Sequence, residues 1–464
     1  MKDEAEKRVI RSKRDIPSVE KLASDAEVAA SFAGLARPYA IELIRSFLER
    51  EKAKIGGDFK GITYGELRSR LTAELEKALR FKIDRVINGT GILVHTNLGR
   101  APLSESLFDN IKAHITGYGN LEFNVVTGKR GRRGELAEKY LALITEAEAG
   151  TIVNNNAAAI FIILNTLANR KKVLISRGEL IQIGGGFRIP DIISKSGARL
   201  QEVGTTNITS YDDYASEMIN KPGLILKVHR SNFAISGFMD EVSLKHLVGL
   251  GKANEIPVVN DLGSGVLIDT TDMAGAREPT VQQSVRDGAD VTCFSGDKLL
   301  GGVQCGLIVG KREIIKRIKK NPIYRAVRVD KIIFSAIEQL LEYYLEGTWR
   351  EDIKLWRLAG VKDSELYRRG QNILQEVNAD GKIMLEGTQV RFGGGALPEI
   401  PIKSVALSFN SKLSPEKLAA LFRGAHPPII GRISDDRFMI DLKAIDENDI
   451  KVLTRIIKTF LRQI

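Results

Sequence analysis

The sequence predicts an α/β fold in which a mainly parallel, seven-stranded sheet is sandwiched by helices. Seven short apolar segments alternate with helical patterns between residue 83 and about residue 330, and glycine-rich turns follow several of them. This alternation is typical of parallel sheets, because each crossover between parallel strands needs the length of a helix. The predicted strands are 151–153, 172–176, 200–203, 224–228, 257–260, 291–294 and 306–309.

The first 80 residues differ from this pattern, because they show helical periodicity and almost no strand signal. A periodic segment covers residues 18–33. Thr63, with Glu66 three residues later, forms a capping-box pattern in front of a helix predicted over residues 64–79. We therefore predict a separate helical domain at the N-terminal end of the chain.

The last third of the chain predicts a second change of pattern. Residues 330–344 form a long connecting helix in this interpretation, and predicted strands at 405–409 and 437–442 then alternate with helices. This arrangement is typical of a small α+β domain. The three predicted domains are 1–80, 81–335 and 336–464.

Composition excludes several classes of protein. The chain has 464 residues and only two cysteines, Cys293 and Cys305, which indicates a reducing compartment without structural disulfides. The first residues are dense in charge and do not form a signal peptide, so we expect a cytoplasmic protein. No apolar run reaches the roughly 18 residues of a membrane span. The five histidines show no metal-ligand spacing, and we expect no metal site.

The formal net charge of +11 favours a polyanionic partner, and the excess is concentrated in two basic runs. Residues 129–133 form one run, and residues 311–331 form another with nine Lys or Arg against two acids. Arg325 and Arg328 are three residues apart, so on a helix they would share a face and could clamp a small oxyanion. The alternative for both runs is an ordinary solvated surface.

Lys298 follows an apolar strand and precedes a glycine-rich turn, and Ser295 lies three residues before it. This context is typical of a lysine that forms a Schiff base with pyridoxal 5′-phosphate (PLP), with the serine hydroxyl near the cofactor phosphate. Asp261 ends the preceding predicted strand. PLP needs such a carboxylate to keep its pyridine nitrogen protonated. The alternative for Asp261 is the N-cap of a helix.

A phosphate group also needs backbone donors. Asn155 and Asn156 lie between a predicted strand and a helix of small residues, and a helix N-terminus attracts anions. Neither a Walker A sequence nor a GxGxxG turn after a strand is present, which disfavours nucleotide binding. His229 ends another predicted strand and is a second cofactor-pocket candidate. The asparagines could instead be a simple cap, and His229 a structural residue.

These residues lie in longer segments that resemble the bacterial selenocysteine synthase family (SelA, L-seryl-tRNA(Sec) selenium transferase). The resemblance extends over nearly the whole chain. The matching segments are Arg14–Leu22, Ile87–Gly91, His95–Leu103, Thr127–Gly131, Arg177–Leu180, Phe187–Asp191, Gly204–Asn207, Lys227–Asn232, Asp261–Gly265, Ser295–Lys298, Arg325–Lys331 and Pro427–Arg432.

The resemblance implies the architecture of fold-type I PLP-dependent transferases, with PLP on Lys298, and a ring of five homodimers. It implies that the N-terminal domain grips tRNA(Sec) charged with serine. The expected reaction is conversion of seryl-tRNA(Sec) to selenocysteinyl-tRNA(Sec), through an aminoacrylyl intermediate, with selenophosphate as donor. Arg100, Arg325 and Arg328 fall where the family binds the oxyanion of the donor. Thr205 and Thr206 fall near the incoming end of the tRNA.

Two alternatives remain open at this point. One is a related PLP-dependent lyase or aldolase that acts on a small phosphorylated amino compound, whose phosphate the same arginines would bind. Such an enzyme would not need the N-terminal 80 residues. The other is a non-catalytic RNA-binding protein that uses the basic runs without PLP.

Overall fold

The computed structural model describes residues 6–56, 59–230, 233, 235–275, 277–379, 381–394 and 401–463. Ser231 and Asn232, the last residues of one family segment, lie outside the described residues. The chain divides into two compact units, of which one ends at Arg85 and the other begins at Val86. Among the described residues, we find no helix with the length and apolarity of a membrane span.

The N-terminal unit consists of helices around a small apolar core. Its helices are α1 Val19–Ala23, α2 Ala26–Ser31, α3 Arg37–Lys54 and α4 Tyr64–Leu79. The predicted capping box is confirmed, because Glu66 N donates to Thr63 Oγ1 and Thr63 N donates to Glu66 Oε2. The sequence missed one antiparallel pair of two-residue strands, β1 Val9–Ile10 and β2 Ile62–Thr63.

The second unit contains the predicted sheet. Its strands are β3 Ile87–Asn88, β4 Phe123–Asn124, β5 Lys129–Arg130, β6 Ala149–Val153, β7 Lys172–Ser176, β8 Gln182–Ile183, β9 Phe187–Arg188, β10 Arg199–Val203, β11 Leu224–Val228, β12 Val258–Gly263, β13 Val291–Ser295, β14 Gly306–Gly310, β15 Ile383–Val390, β16 Ile402–Phe409, β17 Ile429–Ile430, β18 Arg432–Ser434 and β19 Arg437–Asp441. All seven predicted strands are confirmed and form one sheet in the order β10-β7-β11-β12-β13-β14-β6. Only β14 runs antiparallel to its neighbours, so the sheet is mainly parallel as predicted.

Helices cover both faces of this sheet. The helices of the whole second unit are α5 Glu105–Thr116, α6 Glu135–Thr145, α7 Asn156–Ala168, α8 Ile189–Lys195, α9 Tyr211–Ala215, α10 Leu244–Ala253, α11 Thr271–Ala274, α12 Val281–Arg286, α13 Arg312–Lys320, α14 Tyr324–Val327, α15 Lys331–Glu346, α16 Trp349–Asp352, α17 Lys354–Ala359, α18 Asp363–Val377, α19 Pro415–Arg423 and α20 Glu447–Phe460. The helices α18 and α19 pack on strands of the C-terminal part instead, and α20 packs on α18. Successive strand residues alternate between two apolar clusters: Val173 and Ile175 contribute to one and Leu174 to the other. Both faces of the sheet are therefore buried.

The C-terminal part of this unit carries a second, antiparallel sheet in the order β15-β16-β19-β18. The strands predicted at 405–409 and 437–442 are present as parts of β16 and β19. The predicted connecting helix is α15. The three-domain division remains a prediction, because the contacts divide the chain only at Arg85.

The pairing of β6 with β14 fixes the start of α7. Gly306 of β14 lies opposite Val153, and a methyl group on Gly306 would overlap the backbone of Asn155 and Asn156. Only glycine therefore allows the strand to pass this close to the first turn of α7.

We expect Gly306→Ala to destabilise the protein by about 1–3 kcal/mol, because backbone atoms must move to admit the methyl group. Thermal melting, followed by circular dichroism, measures the effect. Gly249→Ala is the matched control, since Gly249 lies inside α10 with open space around its Cα, and there alanine should stabilise by up to about 1 kcal/mol. Equal melting temperatures for the two variants would contradict this account of the β14–α7 contact.

Candidate active site

Lys298 and Asp261 line the same cavity, although 36 residues separate them in the chain. The cause is the register of the sheet: β12 and β13 are parallel neighbours, with Asp261 opposite Cys293. β13 ends at Ser295, and the turn that follows brings Lys298 back to the carboxyl edge of the sheet. Both side chains are buried, with residue exposures of 7% for Lys298 and 6% for Asp261. The cavity has a volume of about 230 Å³.

Burial favours the neutral form of each group, so it shifts the two pKa values in opposite directions. Burial lowers the pKa of Lys298, while the charges of Asp261 and Asp297 oppose that shift. Burial likewise raises the pKa of Asp261, against the hydrogen bond from Asn156 and the charge of Lys298. Asn156 Nδ2 donates to Asp261 Oδ1 at 2.8 Å. Asp261 belongs to β12, so the alternative of a helix N-cap is wrong.

Seven of the predicted site residues line this cavity. They are Arg100, Asn155, Asn156, His229, Asp261, Ser295 and Lys298. The structure adds several lining residues that were not predicted individually as site residues, because they are apolar or small or lie in irregular loops. These are Ala157, Ile181, Gly184, Val228, Gly263 and Gln304.

One end of the cavity is suited to an anion. Asn155 is the N-cap of α7, and its Oδ1 accepts a hydrogen bond from Ala158 N at 2.8 Å. The positive end of the helix dipole therefore faces the cavity beside Asn155, Asn156 and Ala157. The hydroxyl-bearing Ser295 lines the same cavity.

His229 follows β11 and reaches the cavity beside a buried acid that the sequence did not reveal. Its Nε2 lies 3.2 Å from Oε1 of Glu278, although neither atom has a well-aligned hydrogen bond within the described residues. Its backbone N–H donates to the carbonyl of Asp261 at 2.9 Å, which ties the ends of β11 and β12 together. Glu278 lies in an irregular segment before α12, where no periodicity marks it as buried.

Arg100 lies at the cavity next to the lysine turn. Its Nη1 donates to Asp297 Oδ2 at 2.6 Å, so the residue adjacent to Lys298 holds the guanidinium in place. Arg100 has a left-handed backbone with φ of 67°. The Arg100 side chain is still 39% exposed, which leaves donors available to an oxyanion in the cavity.

The other predicted substrate residues do not line this cavity. Thr205 lies in an exposed turn, where its Oγ1 donates to the carbonyl of Ile208, and Thr206 is exposed beside it. Arg325 is exposed, and Arg328 lines a different cavity.

The expectation that Arg325 and Arg328 share a helix face is wrong. α14 ends at Val327, and Arg328 has an extended backbone with ψ of 148°. Pairing with the end of β6 causes the break, since Arg328 forms a bridge with Val153 and Asn154 N donates to Val327 O at 2.8 Å.

The residues present fit PLP. Lys298 supplies a buried amine for the aldehyde, and Asp261 supplies a buried carboxyl group that needs a cationic partner. The N-terminus of α7 provides an anion site for the phosphate. Buried Asn156 Oδ1 has no hydrogen-bond partner among the described residues, as expected for a polar group that faces a ligand.

Comparison with known proteins agrees with this geometry. A family model for L-seryl-tRNA selenium transferase matches residues 86–446. The L-seryl-tRNA(Sec) selenium transferase of Geotalea daltonii is 41% identical over 452 residues, which cover 95% of this chain and 97% of that protein. The enzyme of the same name from Aquifex aeolicus is 43% identical over 393 residues, covering 84% and 86%.

Among solved structures, a D-glucosaminate-6-phosphate ammonia-lyase is similar, with a TM-score of 0.59 and 18% identity. The match covers 83% of this chain and 98% of that one. At this identity the similarity concerns the fold alone. The predicted fold class, an α/β fold with a mainly parallel seven-stranded sheet sandwiched by helices, is confirmed.

We expect Asp261→Asn to lower the pKa of Lys298 further. The groups that act on this amine are Asp261, Asp297, Arg100 and Glu278; the first two carboxylates and Glu278 raise its pKa, whereas burial and Arg100 lower it. The charge of Asp261 is the largest effect that raises this pKa, so without it the lowering by burial is less opposed. The pH dependence of Lys298 acetylation in cofactor-free protein, followed by mass spectrometry, measures the shift.

Asp272→Asn removes an exposed carboxylate that is not among these groups, and it should leave the acetylation profile unchanged. An unchanged or higher pKa for Lys298 in Asp261→Asn would show that the two side chains do not interact through the cavity.

Proposed function

We propose that this chain, which belongs to the L-seryl-tRNA selenium transferase family, converts seryl-tRNA(Sec) to selenocysteinyl-tRNA(Sec) with PLP as its cofactor. One observation carries the proposal: the family match spans the unit in which Lys298 and Asp261 meet in a buried cavity. Selenophosphate is the proposed selenium donor.

When bound, PLP supplies an electron-accepting ring that stabilises negative charge on the α-carbon of an attached amino acid. Asp261 would hold the ring nitrogen in its protonated form, and Lys298 would hold the aldehyde. Once released, the amine of Lys298 is suited to accept the proton from the seryl α-carbon, because burial lowers its pKa. The resulting ammonium can then donate a proton to the departing β-hydroxyl.

Arg100 is the proposed donor-binding residue within this chain. Its guanidinium is fixed by Asp297 beside Lys298, and guanidinium groups bind phosphate oxygens through paired N–H donors. Arg325 and Arg328 lie outside the cavity of their own chain. Their proposed role at the donor therefore requires that they serve the site of a neighbouring chain or that residues 324–328 move.

The remaining parts of the proposal concern the whole assembly. The N-terminal unit would bind tRNA(Sec), and Thr205 and Thr206 would lie near its acceptor end. The chain would form a homodecamer of five dimers. The enzyme would act in the cytoplasm, where aminoacylated tRNA is made.

The alternative of a lyase or aldolase for small phosphorylated amino compounds is not favoured. The ammonia-lyase shares the fold at 18% identity, whereas the transferase relatives reach about 40% identity. The match to the Geotalea daltonii enzyme covers 95% of this chain, so it includes most of the N-terminal unit as well.

Incubation with seryl-tRNA(Sec) and selenophosphate should yield selenocysteinyl-tRNA, detected by mass spectrometry of the released amino acid. Lys298→Ala should lower the rate by at least about 100-fold, the low end for loss of an acid–base group alone. It should also remove the absorbance of lysine-bound PLP. Lys245→Ala, a change at an exposed residue that lines neither this cavity nor the groove of α6 and α13, controls for general damage. A Lys298→Ala protein that retained that absorbance would refute the assignment of the lysine.

Deletion of residues 1–85 should abolish binding of tRNA(Sec) and spare the PLP absorbance, because the deleted segment is a separate compact unit. Fluorescence anisotropy with labelled tRNA(Sec) measures binding. Retained tRNA affinity would contradict the proposed role of the unit. Activity on a small phosphorylated amino compound, but not on seryl-tRNA, would favour the lyase or aldolase.

A further inference from the structure

The two basic runs of the sequence, some 180 residues apart, meet in one groove on the second unit. This groove is lined by residues of α6, α13 and the loop before α6, and it has a volume of about 590 Å³. Its described lining includes eight Lys or Arg residues and three Glu residues. The concentration of cations therefore results from the fold and extends beyond each local run.

Part of this charge is neutralised within the protein. Lys319 Nζ pairs with Glu138 Oε2 at 2.6 Å, and Lys139 Nζ pairs with Glu135 Oε1 at 3.0 Å. Three other lining cations are exposed and form no ion pair with the described residues. They are Arg132, Arg312 and Lys320. These side chains are exposed to solvent and are available to an anionic partner.

The groove follows the edge of the large sheet. β6 is the last strand in the sheet order, and both α6 and α13 pack against it. Ala149 and Gly150 line the groove at the start of β6, and Arg328 lines it beside Val153 at the strand's end. At roughly 3.3 Å per residue, β6 spans about 13 Å. Two residues after Val153 the chain enters the candidate active site at Asn155.

We propose that this groove binds the sugar–phosphate backbone of the acceptor arm of the aminoacylated RNA; this inference rests on the proposed function. Cations distributed along a groove match a chain of phosphates, whereas a single small anion needs donors that converge on one point. The groove points toward the carboxyl edge of the sheet, where the charged end of the RNA must arrive. Contacts to phosphates position an RNA and do not select its sequence.

The test is a triple variant, Arg132→Gln, Arg312→Gln and Lys320→Gln, in the full-length enzyme. Loss of three phosphate contacts should reduce the slope of log Kd against log salt by about 2 to 3, at roughly 0.7 to 0.9 per contact. We expect the Kd for seryl-tRNA(Sec) to rise by at least about tenfold near 0.15 M salt. KM for the RNA should rise by a similar factor, with kcat unchanged at saturating RNA.

The matched control removes three exposed lysines elsewhere: Lys195→Gln, Lys245→Gln and Lys252→Gln, on α8 and α10. These helices pack against β10, β11 and β12 and do not line the groove. The net charge change is the same in both triples, so a loss confined to the groove variant excludes a general electrostatic effect.

Two outcomes would overturn the inference. A groove variant with the salt slope and KM of the wild type would show that no phosphate binds there. A variant that changes oligomeric state in mass photometry and binds RNA normally per assembled particle would make the groove an interface between copies. Failure of the proposed function looks different, because the wild-type enzyme itself would then form no selenated product from seryl-tRNA(Sec).

Discussion

The parallel pairing of β12 with β13 places an acid and an amine in one buried cavity, and the rest of the site is arranged around that pair. Asp261 and Lys298 are both less than a tenth exposed. A buried charge without a partner is costly, so each group supports the ionised form of the other against burial. Burial favours the neutral form of each group, and the opposite charge of its partner favours the ionised form. This balance is what a lysine needs in order to exchange covalent partners and move protons.

Neighbouring elements keep the pair in position. Asn156 links Asp261 to the first turn of α7, and the close approach of Gly306 fixes where that turn begins. Backbone hydrogen bonding from His229 to Asp261 ties β11 to β12 at the same level. Asp297 holds Arg100 at the other side of Lys298. The site is thus supported mainly by strand ends and one helix terminus, which the pairing of the strands holds in register.

Much of this arrangement could be predicted from the sequence. Apolar segments that alternate with helical patterns located all seven strands, and the position of residues after those strands placed Lys298, Asp261 and Asn155 at one edge. Predictions from local sequence patterns were wrong where a tertiary contact determines the backbone conformation. Arg325 and Arg328 do not share a helix face, because pairing with Val153 ends α14 between them.

Other residues gave no signal that a sequence pattern could carry. Glu278 and Gln304 reach the site from irregular segments, and their burial depends on packing that no periodicity records. The sequence also gave no sign that residues 129–133 and residues 311–331 lie together, because their proximity depends on α6 and α13 packing on the same strand. Charge counts revealed the excess of cations but not the surface they share.

The size of the cavity constrains where substrate recognition occurs. With a volume of about 230 Å³ the cavity is far smaller than a tRNA, so most of a tRNA must remain outside it. The ammonia-lyase with the same fold shows that such a scaffold also suits a protein whose name specifies a small phosphorylated compound. Under the proposed function, discrimination for RNA would therefore come from surfaces beyond the cavity. The two RNA-binding features proposed for this chain, the separate N-terminal unit and the cationic groove along β6, both lie outside the described lining of the cavity.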